Sequence, residues 1–280
     1  MTTLTTGEGR EETAARPRMS PRRRRRVSRG VQYAVFVIAV VVVGALADWK
    51  QLQEQFLDLS VARRLFPELI TIALRNTVVY TLTGFGVGLL LGLVVALMRL
   101  SSVAPYRWLA IAYIEFFRGL PALLIFIFVG VGVPLAFPGI VFPGETYGQV
   151  ACALGLVAAA YMAETIRAGI QAVPRGQLEA ARTLGMSYAT AMRSIVIPQA
   201  FRIVVPPLTN EMVLLFKDSS LVLFLGVTLQ QRELTKFGRD LAGTTANTTP
   251  IFVAGLCYLL VTVPLGYLVR RLEARHAQAR

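Results

Sequence analysis

The sequence predicts an all-α polytopic membrane protein, a bundle of about six transmembrane helices. Of its 280 residues, 55% are hydrophobic and only 16% are charged. Long uncharged apolar runs alternate with short segments that hold most of the cations. A helix of about 20 apolar residues crosses the roughly 30 Å hydrocarbon core of a bilayer. The composition therefore excludes a single water-soluble domain.

Six apolar runs are long enough to cross a membrane as helices, at about 1.5 Å per residue. The second and fifth runs are longer than a crossing requires, which predicts tilt or an extension outside the membrane. The predicted spans are residues 31–47, 70–97, 110–133, 149–167, 200–226 and 250–269.

The cations predict the orientation of these spans, because Lys and Arg are retained on the cytoplasmic side. If the N-terminus is cytoplasmic, the inside segments hold 21 of the 29 Lys and Arg residues and the outside segments hold 6. Both termini are therefore predicted to be cytoplasmic. The inside segments are 1–30, 98–118, 167–202 and 270–280, and the outside segments are 48–68, 134–148 and 227–249.

Residues 1–30 are rich in Arg and poor in apolar side chains, which predicts a disordered basic cytoplasmic tail. Beside a membrane span, such a tail favours contact with anionic lipid, and no nucleic-acid partner is expected. The span at 31–47 is then an extra N-terminal transmembrane helix. Its end, Ala45-Leu46-Ala47, also fits a signal-peptide cleavage site, and cleavage stays open as an alternative.

The sequence carries no pattern for nucleotide, metal or covalent chemistry. There is no G-x-x-x-x-G-K-[ST] loop to hold phosphates. One histidine, His276, and two cysteines, Cys152 and Cys257, provide neither a metal site nor a disulfide framework. We therefore expect no cofactor and no metal, and a membrane-anchored enzyme lacks candidate catalytic groups.

A small-residue stripe lies in the second span, where Gly84, Gly88 and Gly92 repeat every four residues. Glycines at this spacing lie on one helix face and let two backbones approach closely. The stripe predicts tight helix packing and no ligand site.

The inside segment 167–202 is about 36 residues long, more than a connector needs. Residues 177–184 favour a short helix that Gly185 can end. Leu178, Ala181 and Leu184 are spaced i, i+3 and i+6, which we interpret as an apolar stripe. A helix of this kind beneath a membrane domain fits a groove on a partner. The alternative is a helix that lies on the lipid interface.

The fifth span contains charged and polar residues, although a charge at mid-bilayer costs about 2.5–3.5 kcal/mol. Residues 210, 214 and 217 share one helix face, and residues 211, 215 and 218 share the neighbouring face. We predict that this polar seam lines or gates a substrate path, with Lys217 and Asp218 as a cation–anion pair. The alternative is that Lys217 and Asp218 only mark the outer end of the span. The seam residues are Asn210, Glu211, Lys217, Asp218, Ser219 and Ser220.

One pattern in segment 167–202 resembles the signature of the membrane permease subunits of bacterial ABC importers. That signature is E-A-A-x3-G-x9-I-x-L-P, and only its Leu is replaced here, by Ile197. The resemblance implies that this helix contacts the ATPase subunits. The implied ATPase-coupling residues are Glu179, Ala180, Ala181, Gly185 and Pro198.

Further motifs resemble the polar amino acid branch of that family, which serves histidine, arginine, glutamine and glutamate. The likeness covers residues 65–272, with departures at Ala122 and Ile125, where the family commonly has Leu and Gln, and at Ser219, where it prefers Thr. The motifs are Arg118-Gly119-Leu120-Pro121, the stretch from Ala160 to Arg167, Gly176-Gln177, Pro198-Gln199-Ala200 and the stretch from Lys217 to Leu221. The site residues they imply are Arg118, Gly119, Pro121, Glu164 and Arg167.

The resemblance implies a type I ABC importer permease in the bacterial plasma (inner) membrane. Its partners would be ATPase subunits, a second permease subunit, identical or sibling, and an extracellular substrate-binding protein. The permease domain would be residues 65–272, with the coupling segment 167–202 and a cytoplasmic tail at 273–280. The substrate would be a polar amino acid, glutamate- or glutamine-like, moved by alternating access. The alternative is a stand-alone secondary transporter or channel, for which inverted repeats would be expected and none is found.

Overall fold

The computed structural model describes residues 21–278, and within that range the chain forms helices and no β-strand. The predicted all-α class is confirmed. The α-helices are α1 (Pro21–Leu46), α2 (Trp49–Phe56), α3 (Leu59–Arg64), α4 (Arg75–Leu100), α5 (Ala104–Gly119), α6 (Ala122–Ile127), α7 (Val133–Ala136), α8 (Thr146–Gln171), α9 (Arg175–Thr183), α10 (Tyr188–Ala191), α11 (Ile197–Asp218), α12 (Leu234–Thr245) and α13 (Thr249–Gln278).

Wider and tighter helical turns extend several of these helices. π-helical turns precede α4 at Leu69–Leu74, follow α6 at Phe128–Gly132 and precede α11 at Met192–Val196. Segments of 3₁₀-helix follow α11 at Ser219–Phe224 and precede α12 at Leu229–Gln231. Because a π turn holds an extra residue, each one rotates the helix face that follows it.

Four helical stretches in the described part of the chain are long and apolar enough to cross a membrane. They match the first, second, fourth and sixth predicted spans; each extends a few residues beyond the prediction, except that the first ends one residue earlier, at Leu46. The stretches are Ser28–Leu46, Leu69–Leu100, Thr146–Gln171 and Thr249–Ala274.

The third predicted span, 110–133, is not one straight helix. The stretches Ala104–Gly119 and Ala122–Ala136 together are long and apolar enough to cross, but their axes differ by 103°. Leu120 between them is extended, with φ −99° and ψ 143°. Pro121 explains this elbow, because proline has no amide hydrogen and disfavours the helical conformation at the preceding residue. The run is a broken span or a re-entrant segment.

The fifth predicted span, 200–226, is α11 followed by a 3₁₀ segment. At 22 residues α11 is long enough to cross, but it is less apolar than the four stretches above. It packs against α4, α8 and α13, so it is a helix of the bundle interior. The charges that lower its apolar character are Arg202, Glu211, Lys217 and Asp218.

The N-terminal unit, residues 1–52, contains α1. The predicted disorder of 1–30 is wrong from Pro21 onward, because the helix of the apolar run continues back through the arginines, which are good helix formers. Residues 1–20 lie outside the described part of the chain. At the other end of α1, the indole Nε1 of Trp49 donates to the Gly44 carbonyl at 2.8 Å.

The second unit, residues 53–280, is built around the contact between α4 and α8. The glycine stripe of α4 faces α8 directly. A Cβ added to Gly84 would lie 2.6 Å from the Leu154 Cβ, and one added to Gly88 would lie 2.8 Å from the Ala158 Cβ. The predicted tight packing is therefore confirmed, and any larger side chain on this stripe would force α4 and α8 apart.

Candidate functional site

The motif glycine ends helix α9. Gly185 has a φ of +84°, a conformation that L side chains rarely adopt. Its amide donates to the Arg182 carbonyl, and the Met186 amide donates to the Ala181 carbonyl, each at 3.1 Å. These two bonds form a Schellman motif, which satisfies carbonyls that the helix end leaves open. The Glu-Ala-Ala helix therefore has a fixed length and a fixed exit direction.

The coupling segment continues directly into α11. Ser187 caps α10, with its Oγ accepting from the Thr190 amide at 3.1 Å. From Tyr188 the chain stays helical through α10, the π turn and α11 as far as Asp218, and Pro198 occupies the second residue of α11. A displacement of α9 and α10 would therefore reach α11 through continuous helical backbone.

The apolar stripe predicted on α9 is split between two faces. Ala181 is buried and Leu178 is partly buried, whereas Leu184 is 84% exposed. At about 100° per residue, six residues place Leu184 about 120° around the helix from Leu178, so the i, i+6 spacing does not keep one face. Leu178 packs against a small core of Val173, Val196 and Ala200.

The outward surface of the coupling segment stays open. Glu179 and Ala180 of the motif are exposed, as is Tyr188 on α10, at 60%. Together with Leu184 they form a surface with one carboxylate and two large apolar groups. We call these four residues the coupling surface.

The predicted polar seam divides between two sides of α11. Glu211 and Asp218 are half-buried and line a cavity of about 230 Å³, while Asn210 and Lys217 are exposed. No ion pair within 4.0 Å joins Lys217 to Asp218 in the described chain. Adjacent residues lie about 100° apart on a helix, whereas seven residues return to nearly the same face. The predicted cation–anion pair is therefore not formed, and two carboxylates share the cavity wall.

The serines of the seam lie beyond the end of α11, in the 3₁₀ segment. Ser219 is fully buried, and its hydroxyl donates to the Phe216 carbonyl at 2.8 Å. Ser220 is partly buried. Neither serine lines the cavity; Ser219 stabilises the change from α-helix to 3₁₀-helix.

The cavity lies between α6, α8 and α11. Apart from the two carboxylates and the Tyr161 hydroxyl, its walls are apolar, and no Lys or Arg of residues 21–278 lines it. A site of this size and polarity suits a small molecule that carries a positive group. The walls are formed by Ala122, Phe126, Leu154, Val157, Ala158, Tyr161, Glu211, Leu214, Leu215 and Asp218.

The motif carboxylate Glu164 is held by arginines. The Arg167 Nη2 lies 2.6 Å from the Glu164 Oε2, and the Arg167 Nε donates to both carboxylate oxygens at 3.2 and 3.3 Å. Arg99, near the end of α4, lies 4.0 Å from the same carboxylate. Glu164 thus joins α8 to the end of α4.

The motif at the elbow reaches the same region of α8. The Arg118 guanidinium lies over the Tyr161 ring, with the Cζ 5.4 Å from the ring centroid. Gly119 is the last residue of α5, and Pro121 immediately precedes α6. Since Tyr161 also lines the cavity, the sequence-predicted residues of α5, α8 and α11 are brought together around one space.

Sequence reasoning missed a second polar cluster, at the far end of α11 from the coupling segment. The buried Asn76 of α4 donates from Nδ2 to the carbonyls of Gln230 and Arg232, at 2.8 and 3.0 Å. The Tyr80 hydroxyl donates to the Gln231 carbonyl, and the Tyr147 hydroxyl donates to the Asn76 Oδ1, both at 2.8 Å. A polar triplet, residues 75–77, within an apolar run was the available signal.

Glu233 completes this cluster, which we call the latch (residues 228–236). Its fully buried carboxylate caps α12, accepting from the amides of Thr235 and Lys236 at 2.5 and 2.6 Å and from the Tyr258 hydroxyl at 2.9 Å. Burial raises the pKa of Glu233 to about 7, although these hydrogen bonds act in the opposite direction. The guanidinium of the neighbouring Arg232 lies over the Phe237 ring, with the Cζ 5.1 Å from the ring centroid.

Residues 88–278 match the family described as "Binding-protein-dependent transport system inner membrane component". The chain belongs to this family. It is a membrane-embedded transport component, as the coupling motif and the apolar helices indicated.

Two relatives and one solved structure are close to the chain. The chain is 42% identical to the probable glutamine ABC transporter permease protein GlnM of Bacillus subtilis (strain 168), over 66% of this chain and 82% of that protein. It is 36% identical to the glutamate/aspartate import permease protein GltK of Escherichia coli O157:H7, over 72% and 90%. The crystal structure of an amino acid ABC transporter with histidines matches with a TM-score of 0.69 and 35% identity, covering 78% of this chain and 99% of that one. The resemblance to polar amino acid ABC permeases is confirmed.

Proposed function

We propose that the chain is the permease subunit of an ATP-driven importer that moves a polar amino acid by alternating access. The observation that carries this proposal is the cavity with two carboxylates, Glu211 and Asp218, on a helix that is continuous with the coupling segment. This helix connects the coupling segment, which a partner protein can move, to the cavity, which a substrate can bind. The names of the similar permeases support amino acids as the substrate class.

The negative charge of the cavity limits which amino acids can bind there. Carboxylates attract the ammonium group that every amino acid carries, and an apolar surround strengthens that attraction. A second negative charge on the substrate would be repelled, because no cation lines this space. Between the two substrates favoured by the sequence, the cavity favours a neutral glutamine-like side chain over glutamate.

The partners follow from what the chain lacks and from what it exposes. It has no phosphate-binding loop, so separate ATPase subunits hydrolyse ATP and grip the coupling surface around Glu179. Ala180 is exposed beside Glu179, while Ala181, Gly185 and Pro198 shape the segment that presents them. A second permease subunit, identical or sibling, completes the path, and an extracellular binding protein delivers the substrate to the permease domain at 65–272.

The function is tested with the purified complex in liposomes, by measuring amino acid uptake and ATP hydrolysis. Glu211→Gln and Asp218→Asn keep the side-chain shapes but remove the charges, and each should lower uptake at least tenfold while the ATPase subunits stay bound. Arg202→Gln, an exposed change on the same helix, is the matched control. Parental uptake by both carboxylate variants would show that the cavity is not the substrate path. Uptake by the permease without its ATPase would favour the secondary transporter.

The proposed location is the plasma (inner) membrane, with both termini cytoplasmic. Single cysteines at Ser187→Cys, in the coupling segment, and Thr245→Cys, at the end of α12, test this in a background without Cys152 and Cys257. A membrane-impermeant thiol reagent should label Thr245→Cys in intact cells and Ser187→Cys only after lysis. The reverse pattern would show the opposite orientation.

A further inference from the structure

An amino acid brings a negative group into a cavity whose charged lining residues, among those described, are two carboxylates. The ammonium group can be met by Glu211 and Asp218, but the α-carboxylate meets only the neutral Tyr161 hydroxyl among the described side chains of the wall. An unpaired carboxylate in an apolar space is costly, so a cation is needed close to the cavity margin.

Arg118 lies at this margin. It is the residue before the last of α5, next to the elbow that leads to Ala122 of the cavity wall. Its guanidinium lies over the face of the Tyr161 ring, and Tyr161 is itself a wall residue. Two independent features of the backbone and the side chains therefore place this cation beside the space.

Within the described chain, the charge of Arg118 acts on Glu164 only from beyond 4.0 Å. Arg118 is exposed, and no Asp or Glu oxygen lies within 4.0 Å of it among the described residues. The nearby Glu164 has its two oxygens bonded by Arg167, at 2.6 to 3.3 Å. A guanidinium carries its N–H groups in a planar fork, the geometry that binds a carboxylate with two parallel hydrogen bonds.

We propose that Arg118 binds the α-carboxylate of the transported amino acid, while Glu211 and Asp218 attract its ammonium group. This inference rests on the proposed function. The separated charges make the cavity a receptor for zwitterions, and Tyr161 positions the guanidinium. Arg118 is then a specificity-determining residue, which discriminates against amines that lack a free carboxylate.

The test measures direct binding to the permease–ATPase complex in nanodiscs, without the binding protein, because that protein selects substrates by itself. The probes are L-glutamine and its α-amide, which differ only in whether the α-carboxyl group is charged. The parental complex should prefer the free acid by tenfold or more, the range for a hydrogen bond to a charged group. Arg118→Gln should reduce that preference to about twofold or less, and Arg118→Lys, which keeps the charge but loses the two parallel hydrogen bonds, should give an intermediate preference.

Arg107→Gln, on the same helix, is the control and should keep the parental preference. If Arg118 had only a structural role, its removal would weaken the acid and the amide equally and leave their ratio unchanged, which would overturn the inference. Binding of neither probe by the parental complex, with no uptake of any proteinogenic amino acid, would instead overturn the proposed function and this inference with it.

Discussion

The polar segments at the two ends of α11 differ in burial: one is buried and hydrogen-bonded, and the other is exposed. At one end, buried hydrogen bonds hold the latch. Asn76 and Tyr80 donate to its carbonyls, and the Glu233 carboxylate accepts from three donors. At the other end, the coupling segment rests on a core of small and medium side chains and leaves Glu179 and Leu184 exposed.

This difference distinguishes the latch, whose contacts stabilise the fold, from the coupling surface, which is available to a partner protein. A buried polar group needs a hydrogen-bond partner, and leaving it without one is costly. The latch meets that condition and therefore serves the permease itself. The coupling surface has its charge and its apolar groups open to solvent, which is typical of a surface completed by another protein. Substitutions in the latch should therefore lower the free energy of unfolding. Substitutions in the coupling surface should weaken binding of the partner protein.

The largest loss of stability is expected from Asn76→Leu, which keeps the side-chain volume. It leaves the carbonyls of Gln230 and Arg232 and the Tyr147 hydroxyl without their partner. At about 1–3 kcal/mol for each buried unsatisfied group, the free energy of unfolding should fall by about 4 kcal/mol. Denaturant unfolding in detergent measures it, with the exposed Asn210→Leu as control. A fall below 1 kcal/mol would contradict the structural role of the latch.

The next largest effect is a pH dependence from Glu233. Its pKa is raised from 4.5 to about 7 in the folded protein, so the folded state binds this proton more tightly than the unfolded state. The stabilisation is complete below pH 4.5 and is lost as the pH rises to about 7, a change of about 2–3 kcal/mol. Glu233→Gln should remove this part of the profile between pH 5 and 8. Identical pH profiles for the variant and the parental protein would contradict the assignment to Glu233.

A smaller loss, about 1–2 kcal/mol, is expected from Gly185→Ala, because an alanine at φ +84° is strained. The strain should shift the exit of α9 and weaken coupling, seen as less uptake for each ATP hydrolysed. Gly176→Ala is the matched control at the other end of α9, where a Cβ meets nothing within 4 Å and φ is not positive. Equal behaviour of the two variants would mean that the helix end is not constrained.

The smallest effect on stability, within about 0.5 kcal/mol, is expected from Glu179→Lys, because the side chain is exposed. The same change should abolish uptake and reduce copurification of the ATPase, since it reverses the only charge of the coupling surface. Ser194→Lys, at another exposed position of the segment, should leave both intact. Normal uptake by Glu179→Lys in cells would show that the contact lies elsewhere.

Hydropathy predicted the long apolar helices, because these depend on composition over many residues. It did not predict the elbow, because a bend depends on a single residue. The spans at 70–97, 149–167 and 250–269 lie inside long apolar helices. The elbow in 110–133 was missed because a sliding count of apolar residues does not register Pro121, although proline is itself a local signal.

The geometry of the candidate site was predicted in part, because two residues on neighbouring helix faces were paired with each other. The face shared by Glu211 and Asp218 was predicted, but the neighbouring Lys217 was taken as the partner of Asp218, and a helix places it on another side. The latch could not be predicted from local pattern. Asn76 meets carbonyls more than 150 residues further along the chain, and no periodicity connects such positions.

The 103° elbow between α5 and α6 determines which side of the subunit can face lipid. Two arms at nearly a right angle cannot both follow the membrane normal, so at least one arm is strongly tilted from it. Residues 120 and 121 are outside any helix, and a non-helical backbone at membrane depth is tolerated only against protein or water. At membrane depth the elbow therefore has to face protein or water, and the apolar side chains exposed beside it, such as Phe116, Leu124 and Phe128, favour protein over water.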